Sequence, residues 1–397
     1  MRKLNIKIFA AVLFTFWLIN AQENSLVDKN FKTAQTQLSG MLKAIGKSQE
    51  NPGYTNKEGR LQLVPPNNWI SGFFPGCLWY MYEYSKDKKW KTAAGFFTKN
   101  EEKEQYDGTT HDVGFKMFCS YGNGYLLTGN EYYKEILLRS ARTLSTRFNP
   151  KVGCIRSWDH HYKIWQYPVI IDNMMNLELL FEATKISGDS SFYKIAISHA
   201  NTTMKNHFRK DYSTWHVVNY DSATGKVISK ITHQGYSNKS CWARGESWAL
   251  YGYTMCYRYT KDKRYLVQAE NIAKYILTDK NLPKDMIPYW DYNAPNIPNA
   301  ERDASAAAIM CSAFYELSAY AGKAGMKYRH VADTILQSLS SPKFLAKKGE
   351  NNNFILMHSI GNKPGNSQVD VPIIYADYYF LEANLRKIEI DKNGKLK

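Results

Sequence analysis

One pattern recurs along the chain: an apolar stretch at helical spacing, a short polar turn, an aromatic residue, and a small or apolar residue four positions later. The copies centre on Trp90 with Ala94, Tyr133 with Leu137, Phe192 with Ala196, Tyr265 with Ala269, and Tyr328 with Ala332. Positions i and i+4 share one helix face, so each pair sets a large side chain beside a smaller one, as close helix crossing requires. The turns ahead of them are Ser85-Lys86-Asp87-Lys88, Thr128-Gly129-Asn130-Glu131, Ser187-Gly188-Asp189-Ser190, Thr260-Lys261-Asp262-Lys263, and Ala321 to Gly325. Each copy reads as helix, turn, helix. The intervals between copies are unequal, which excludes a uniform solenoid and assigns the extra length to loops.

A sixth hairpin follows from pairing a helix around Phe31 to Ile45 with the last helix, Tyr375 to Ile388, so that the two ends of the chain close a ring. Six helical hairpins in a circle make an all-α (α/α)6 toroid whose long loops wall a central cleft. Strand signals are sparse, and Val217 to Tyr220 followed by Thr224-Gly225-Lys226 reads as one short β-hairpin. No Pro, Gly or Ser-rich linker divides the chain, so 22–397 reads as one domain.

Composition changes this picture in two respects. The 397 residues are 44% hydrophobic and 22% charged, which suits a folded globular protein, and the net charge of +16 points to an anionic partner. The first residues narrow that choice. Arg2, Lys3 and Lys7 precede an apolar run from Ile8 to Ile19, and Ala21 offers a cleavage point, so 1–21 reads as a secretion signal and the expected location is periplasmic or secreted. That run is too short to span a bilayer, and export argues against nucleic acid as a partner. The six cysteines are scattered in apolar surroundings with no CxxC pair, so they read mainly as buried thiols, and zinc or thiol redox chemistry has no support.

The loops between hairpins carry the candidate chemistry. Asp172 is followed by an apolar helix and has the form of an N-cap, but Ile170, Ile171, Met174 and Met175 would also surround its carboxyl and raise its pKa toward proton donation near neutrality. Asp112 lies one hairpin earlier, between His111 and Val113-Gly114-Phe115. Two carboxylates from adjacent loops with tryptophans nearby suit sugar chemistry. No GxSxG, HExxH, P-loop or GxGxxG pattern competes with this reading. His160-His161 reads as a surface loop, and no metal or cofactor is implied.

The motifs Asn68-Trp69 with Ser71-Gly72-Phe73, His111-Asp112-Val113-Gly114-Phe115, Asp172-Asn173-Met174-Met175-Asn176, Thr232-His233-Gln234-Gly235, Trp242-Ala243-Arg244-Gly245, Pro288-Tyr289-Trp290-Asp291 and Arg302-Asp303-Ala304-Ser305-Ala306-Ala307 resemble glycoside hydrolase family 88. These are the unsaturated glucuronyl hydrolases. The resemblance spans nearly the whole chain after the signal and implies an (α/α)6 toroid. The implied reaction removes a 4,5-unsaturated uronic acid from the non-reducing end of lyase products by hydrating the vinyl ether. Asp172 would protonate C4 and help water add at C5, and Asp112 would hold the ring hydroxyls, oriented by His111. His216, Gln234 and Arg244 would surround the uronate, with Trp69, Trp158 and Trp248 as stacking faces. Lys363, in the loop His358 to Ser367, would meet the next sugar and suit a sulfate. Two alternatives stay open: an unsaturated rhamnogalacturonyl hydrolase on the same fold, and a non-catalytic glycan-binding helical protein.

Overall fold

The computed structural model describes residues 26–394, and the expected signal at 1–21 lies outside them. Helix α1 runs over 26–45. Tight turns then join α2 (Phe73–Ser85) to α3 (Lys88–Asn100), α5 (Asn123–Thr128) to α6 (Glu131–Ser145), α7 (Asn173–Ser187) to α8 (Ser190–Asn206), and α9 (Ala243–Thr260) to α10 (Lys263–Thr278). A helix α4 (Val113–Met117) runs through a π turn, Phe118–Gly122, into α5.

The four turns share one construction. The residue after the first helix is left-handed (Lys86 φ 56°, Gly129 65°, Gly188 77°, Lys261 56°). The next residue, Asp87, Asn130, Asp189 or Asp262, accepts a hydrogen bond from the N–H two positions on and so caps the second helix. A left-handed stop followed at once by an Asx start reverses the chain in two residues. The fifth turn, from α11 (Ala304–Tyr320) to α12 (Gly325–Leu339), uses a 3-10 turn at Gly322–Ala324 instead.

The expected sixth pairing is present. Asn30 in α1 donates to Asn384 Oδ1 in α13 (Ile374–Asn393) at 2.9 Å and to Ser340 Oγ at the end of α12 at 2.9 Å. The inner helices touch in sequence around the ring, from α2 to the α4–α5 run, then α7, α9, α11, α13 and back to α2. They are buried on nearly every side; each residue from Ala304 to Leu317 is buried. The outer helices bury a single stripe that holds the repeat pairs: Trp90, Ala94, Phe192, Ala196, Tyr265, Ala269, Tyr328 and Ala332 are all buried, and Tyr133 is half-buried over buried Leu137. The two kinds of helix therefore differ in pattern because one faces protein all round and the other faces water.

Inner helices approach closely where a side chain is missing. A Cβ on Gly114 of α4 would lie 2.5 Å from the Asn176 Cα of α7, and one on Gly252 of α9 would lie 2.5 Å from Met174 Cβ. At the first crossing, Asn176 Oδ1 accepts the Phe115 N–H at 2.7 Å.

Strands are more numerous than the sequence pattern suggests. The expected hairpin forms from β6 (Val217–Tyr220) and β7 (Val227–Ile231), and β5 (Pro168–Ile170) adds a third antiparallel strand. Three more antiparallel pairs are β1 (Asn51–Thr55) with β2 (Leu61–Val64), β3 (Phe148–Asn149) with β4 (Cys154–Ile155), and β8 (Ser359–Asn362) with β9 (Ser367–Val371). They are too short for alternation to register, and β5 finds its partner far along the chain.

Gly114→Ala is expected to destabilise the protein by about 1–3 kcal/mol, because the crossing has no room for a methyl. Gly95→Ala, in α3 with only the Tyr133 hydroxyl near at 3.6 Å, is expected to stabilise by about 0.5–1 kcal/mol. Urea unfolding of both variants checks the pair, and similar signs would contradict the packing account.

Candidate active site

The loops entering the inner helices all arrive at one end of the ring. Asp112 precedes α4, Asp172 precedes α7, Trp242 precedes α9 and Asp303 precedes α11. The positive ends of these helices therefore face the same cleft.

Asp172 is not an N-cap. Its backbone is already helical (φ −55°, ψ −28°) and its side chain makes no capping bond. The N–H groups it would have capped bond to carbonyls instead, Met174 to Ile171 and Met175 to Asp172. The carboxyl is thus left to the cleft, where Asp172 is only 8% exposed and Oδ2 has no hydrogen-bond partner. Burial pushes its pKa up to about 6, with the Asp112 charge adding to the rise and Arg244 and His111 opposing it.

Asp112 is held in the opposite sense. Burial alone would raise it, but His111, the Thr110 hydroxyl and Lys116 together keep its carboxyl below the usual range. His111 Nε2 stands 3.2 Å from Asp112 Oδ1, and Thr110 Oγ1 donates to Oδ2 at 2.7 Å. His111 is buried, with its ring facing the Asp112 carboxyl. Two carboxyls pushed apart in this way are suited to different tasks, the raised one to giving up a proton and the lowered one to staying ionised.

His216 is both structural and part of the cleft. Its Nδ1 accepts the backbone N–H groups of His233 and Gln234, each at 3.1 Å, which leaves the proton on Nε2. That Nε2 lies 3.7 Å from Asp172 Oδ2. Burial, helped by His233 and Arg244, holds this imidazole well below its ordinary pKa, so it is neutral.

Arg244 forms the floor. Its Nη2 donates to Gly361 O at 2.7 Å, its Nη1 donates to Ile360 O, and its guanidinium lies 4.4 Å from the Trp242 ring centre and 5.4 Å from that of Tyr375. Gln234 Nε2 donates to the same Gly361 carbonyl at 3.0 Å. Only Arg244 Nε is left without a partner, so the guanidinium expected to meet the uronate has most of its donors committed to the β8 backbone.

The three tryptophans divide. Trp69 and Trp158 are half-buried and line a groove of about 710 Å³ that opens beside Asp112, together with Asn68, Lys103 and Thr110. Trp248 departs from expectation. It is fully buried, packed against Phe115 and Tyr379 at 5.3 and 5.4 Å between ring centres, and offers no face to a sugar. At i+4 from Arg244 it shares that residue's helix face but sits one turn further along α9, where Phe115 and Tyr379 cover it. Lys363 sits between β8 and β9, half-buried, with its ammonium paired to Glu301. His160 and His161 lie on the surface as expected, with His160 stacked on Trp158 at 5.0 Å. Among the described residues no group of three or more His, Cys, Asp or Glu side chains could hold a metal ion. All six cysteines are buried and free.

Three residues of the site were not singled out from sequence. Asp291 Oδ2 accepts from the Tyr236 N–H at 2.8 Å and the Ser240 hydroxyl at 2.7 Å, and so fixes the loop that carries His233 and Gln234. Tyr375 places a buried, unpartnered hydroxyl among Trp69, Phe73 and Arg244. Asp303, fully buried, stands 3.6 Å from Arg244. The Asp residues lie inside motifs that were visible; nothing in the local sequence marked Tyr375.

No family model matches the chain. It is 47% identical over 370 residues to an unsaturated glucuronyl hydrolase of Formosa agariphila, covering 93% of this chain and 92% of that protein. The crystal structure of an unsaturated glucuronyl hydrolase specific for heparin superposes with a TM-score of 0.90 at 49% identity, covering 93% of this chain and 98% of that one. A Streptococcus agalactiae unsaturated glucuronyl hydrolase variant complexed with dGlcA-GalNAc6S superposes with a TM-score of 0.76 at 27% identity, covering 91% of each chain.

The raised Asp172 has a cost in stability with a definite sign. The unfolded chain ionises this carboxyl near 3.8 and the folded chain near 6, so folding grows less favourable as pH rises through that window. Asp172→Asn is expected to be more stable than the wild type by about 3 kcal/mol at pH 8 and equal to it below pH 4. Denaturant curves at the two pH values check this, and an equal gain at both would rule out ionisation as the cause.

Proposed function

The chain belongs to glycoside hydrolase family 88, the unsaturated glucuronyl hydrolases, and on that premise we propose how its residues carry the reaction. It is a glycosidase that removes the 4,5-unsaturated glucuronyl residue from the non-reducing end of oligosaccharides released by polysaccharide lyases.

Asp172 is the proton donor. Its carboxylic acid delivers a proton to C4 of the vinyl ether, water adds to C5, and the carboxylate left behind takes the proton that water loses. The resulting hemiketal opens and the glycosidic bond is released. The observation that carries this assignment is the buried, unpartnered Oδ2 of a carboxyl whose pKa is raised to about 6. A neutral His216 at 3.7 Å suits the task, since a cation there would favour loss of the proton. Asp112, held ionised beside His111 and Thr110, accepts hydrogen bonds from ring hydroxyls and opposes the positive charge that develops on protonation. Because the anomeric carbon is not attacked, the distance between the carboxyls does not set a stereochemical outcome.

The uronate carboxylate lies toward Gln234 and Arg244, with Arg244 Nε and the positive helix ends as its remaining donors. Trp69 and Trp158 supply apolar faces for the sugars. Lys363 meets a sulfate on the following sugar by exchanging its Glu301 partner for the substrate; its place in the hairpin that binds Arg244 supports this reading. The natural substrates are unsaturated disaccharides of acidic polysaccharides such as glycosaminoglycans or ulvan, met outside the cytoplasm after export on the 1–21 signal.

Loss of the C4=C5 ultraviolet absorbance measures the activity directly. Asp172→Asn is expected to lower kcat by at least about 100-fold. The wild-type kcat/KM should fall as pH rises above about 6, because the donor must be protonated in the free enzyme. Retained turnover in Asp172→Asn would reassign the donor. Lys363→Ala should lower turnover of sulfated disaccharides more than that of unsulfated ones, and equal losses would remove the sulfate role.

A further inference from the structure

Arg244 presents an electrostatic conflict. It is 1% exposed and lies at the floor of a cleft that takes an anion, yet its charge acts to lower the pKa of the acid that must stay protonated. The carbonyls of Ile360 and Gly361 hold its Nη atoms but carry no formal charge. Within 4 Å its one carboxylate partner among the described residues is Asp303, with Oδ2 3.6 Å from Nη1.

Asp303 is built into the fold from three sides. Its Oδ1 accepts the Ser305 N–H at 3.0 Å, the Ser305 hydroxyl at 2.5 Å, the Ala306 N–H at 3.3 Å and the Ile360 N–H at 3.3 Å. One oxygen therefore caps α11 and pins β8, the strand whose carbonyls grip Arg244. The other oxygen is fully buried, makes no hydrogen bond and faces the guanidinium. An N-cap needs only one oxygen, and Ser or Asn caps as well as Asp. Burial raises the Asp303 pKa, and the Arg244 guanidinium, ahead of the Ser305, Ile360 and Ala306 hydrogen bonds, favours its ionised form. Capping explains neither the second oxygen nor a carboxyl in place of an amide or hydroxyl.

We propose that Asp303 is a positioning residue for the reaction: it holds Arg244 against the β8 carbonyls and offsets that cation's field at the proton donor Asp172. The claim rests on the reading of Asp172 given above. The other groups facing Asp172 are His216 from the edge of β6, His111 and Asp112 from the loop before α4, and Tyr375 from α13. Of these only Tyr375 also feels the Asp303 charge, and burial pushes its phenol up to about 12, so it stays neutral across the assay range and a change in the donor's titration reports the charges of Arg244 and Asp303.

Asp303→Asn keeps the capping oxygen and removes the charge, whereas Asp303→Glu keeps the charge and disturbs the cap. A purely structural residue would tolerate Asn better than Glu. The proposal predicts the reverse in one readout: in Asp303→Asn the basic limb of kcat/KM moves down by about 0.5–1 pH unit, and in Asp303→Glu it stays in place. Above pH 7 the Asn variant then loses about 3- to 10-fold in kcat/KM, while at pH 5 and below it stays within about twofold of the wild type. Titration of the Asp172 carboxyl by 13C NMR without substrate should show the same downward shift. This second readout separates the two claims. No turnover by the wild type on any unsaturated uronide would sink the functional reading and leave the titration to decide the electrostatic one.

Turnover with an unmoved Asp172 titration in Asp303→Asn would overturn the proposal. So would an equal shift in Asp303→Glu. Where Asp303→Asn does not fold, Asp303→Ser carries the same test with a smaller capping side chain. Failure of both uncharged variants to fold would also overturn the claim, since the carboxylate would then be required by the fold rather than by the donor.

Discussion

The relative position of the two carboxyls depends on one crossing. Where α4 meets α7, Gly114 lets the backbones close to a distance that a methyl would forbid, and the Asn176 side chain then binds the Phe115 N–H. Asp112 is two residues before Gly114, and Asp172 is four before Asn176. Both carboxyls are therefore tied to the crossing by about one helical turn of backbone or less. A hydrogen bond from a buried amide to a buried side-chain oxygen has one geometry only, so the register cannot slip without leaving both groups unsatisfied. The repeated turns matter to the site through this register. An outer helix that begins two residues after an inner one ends brings each inner helix back into the ring at a fixed height, and with it the loop that enters that helix.

The ring sorts charge along its axis. At the helix starts lie the cleft and its carboxyls. Toward the helix ends the interior holds Arg258 and Arg386 with Glu178, Glu316 and Glu382. Arg258 bonds Glu178 at 2.6 Å and Glu316 at 2.7 Å, and Arg386 lies 3.0 Å from Glu316. Two cations near the negative ends of the inner helices suit the helix dipoles, and their carboxylates complete a satisfied network. Tyr80 and Tyr251 both donate to Glu382 Oε1 at 3.0 Å, and Ser312 donates to its other oxygen at 2.5 Å. The contrast with the other end is instructive. Glu382 is buried with a full set of donors, whereas Asp172 is buried with an oxygen left bare. At equal burial one carboxyl is fully hydrogen-bonded into the fold and the other keeps an oxygen free for the cleft.

The hairpin repeat was legible because each outer helix faces water on one side. That forces a stripe, and the stripe is visible at i and i+4. The Asx residues in the turns were legible for a related reason, since capping is a local interaction between neighbours in sequence. The short strands were not, because β5 is set by a partner far along the chain, and both β5 and β8 carry too few residues to alternate. Asp172 and Asp112 could be found from their apolar and glycine-rich settings, but the choice between cap and acid at Asp172 needed the backbone angles. Trp248 was misjudged because an aromatic next to a site motif can point either way from a helix, and only the packing of Phe115 and Tyr379 decides it. Arg244 was recognised as a cation near the cleft. Its commitment to the Ile360 and Gly361 carbonyls depends on a strand over 100 residues away, which no local pattern records.

A site that binds an anion and keeps an acid protonated faces opposed demands. Positive potential attracts the uronate and, by the same sign, promotes loss of the acid's proton. Burial separates the two demands, because it penalises a charge on Asp172 whatever the local potential. Neutral donors help for the same reason: backbone N–H groups at helix starts and the Gln234 amide can bind a carboxylate while adding less field at a distance than a full cation does. The surplus of Lys and Arg in the chain fits this division. Among the described residues, Arg244 is the Lys or Arg side chain with the largest effect on Asp172, and it is bound by carbonyls and faced by a carboxylate. The long-range attraction that brings an anionic sugar to the protein can thus come from the surface, where screening within about 8–10 Å keeps it from reaching the buried acid.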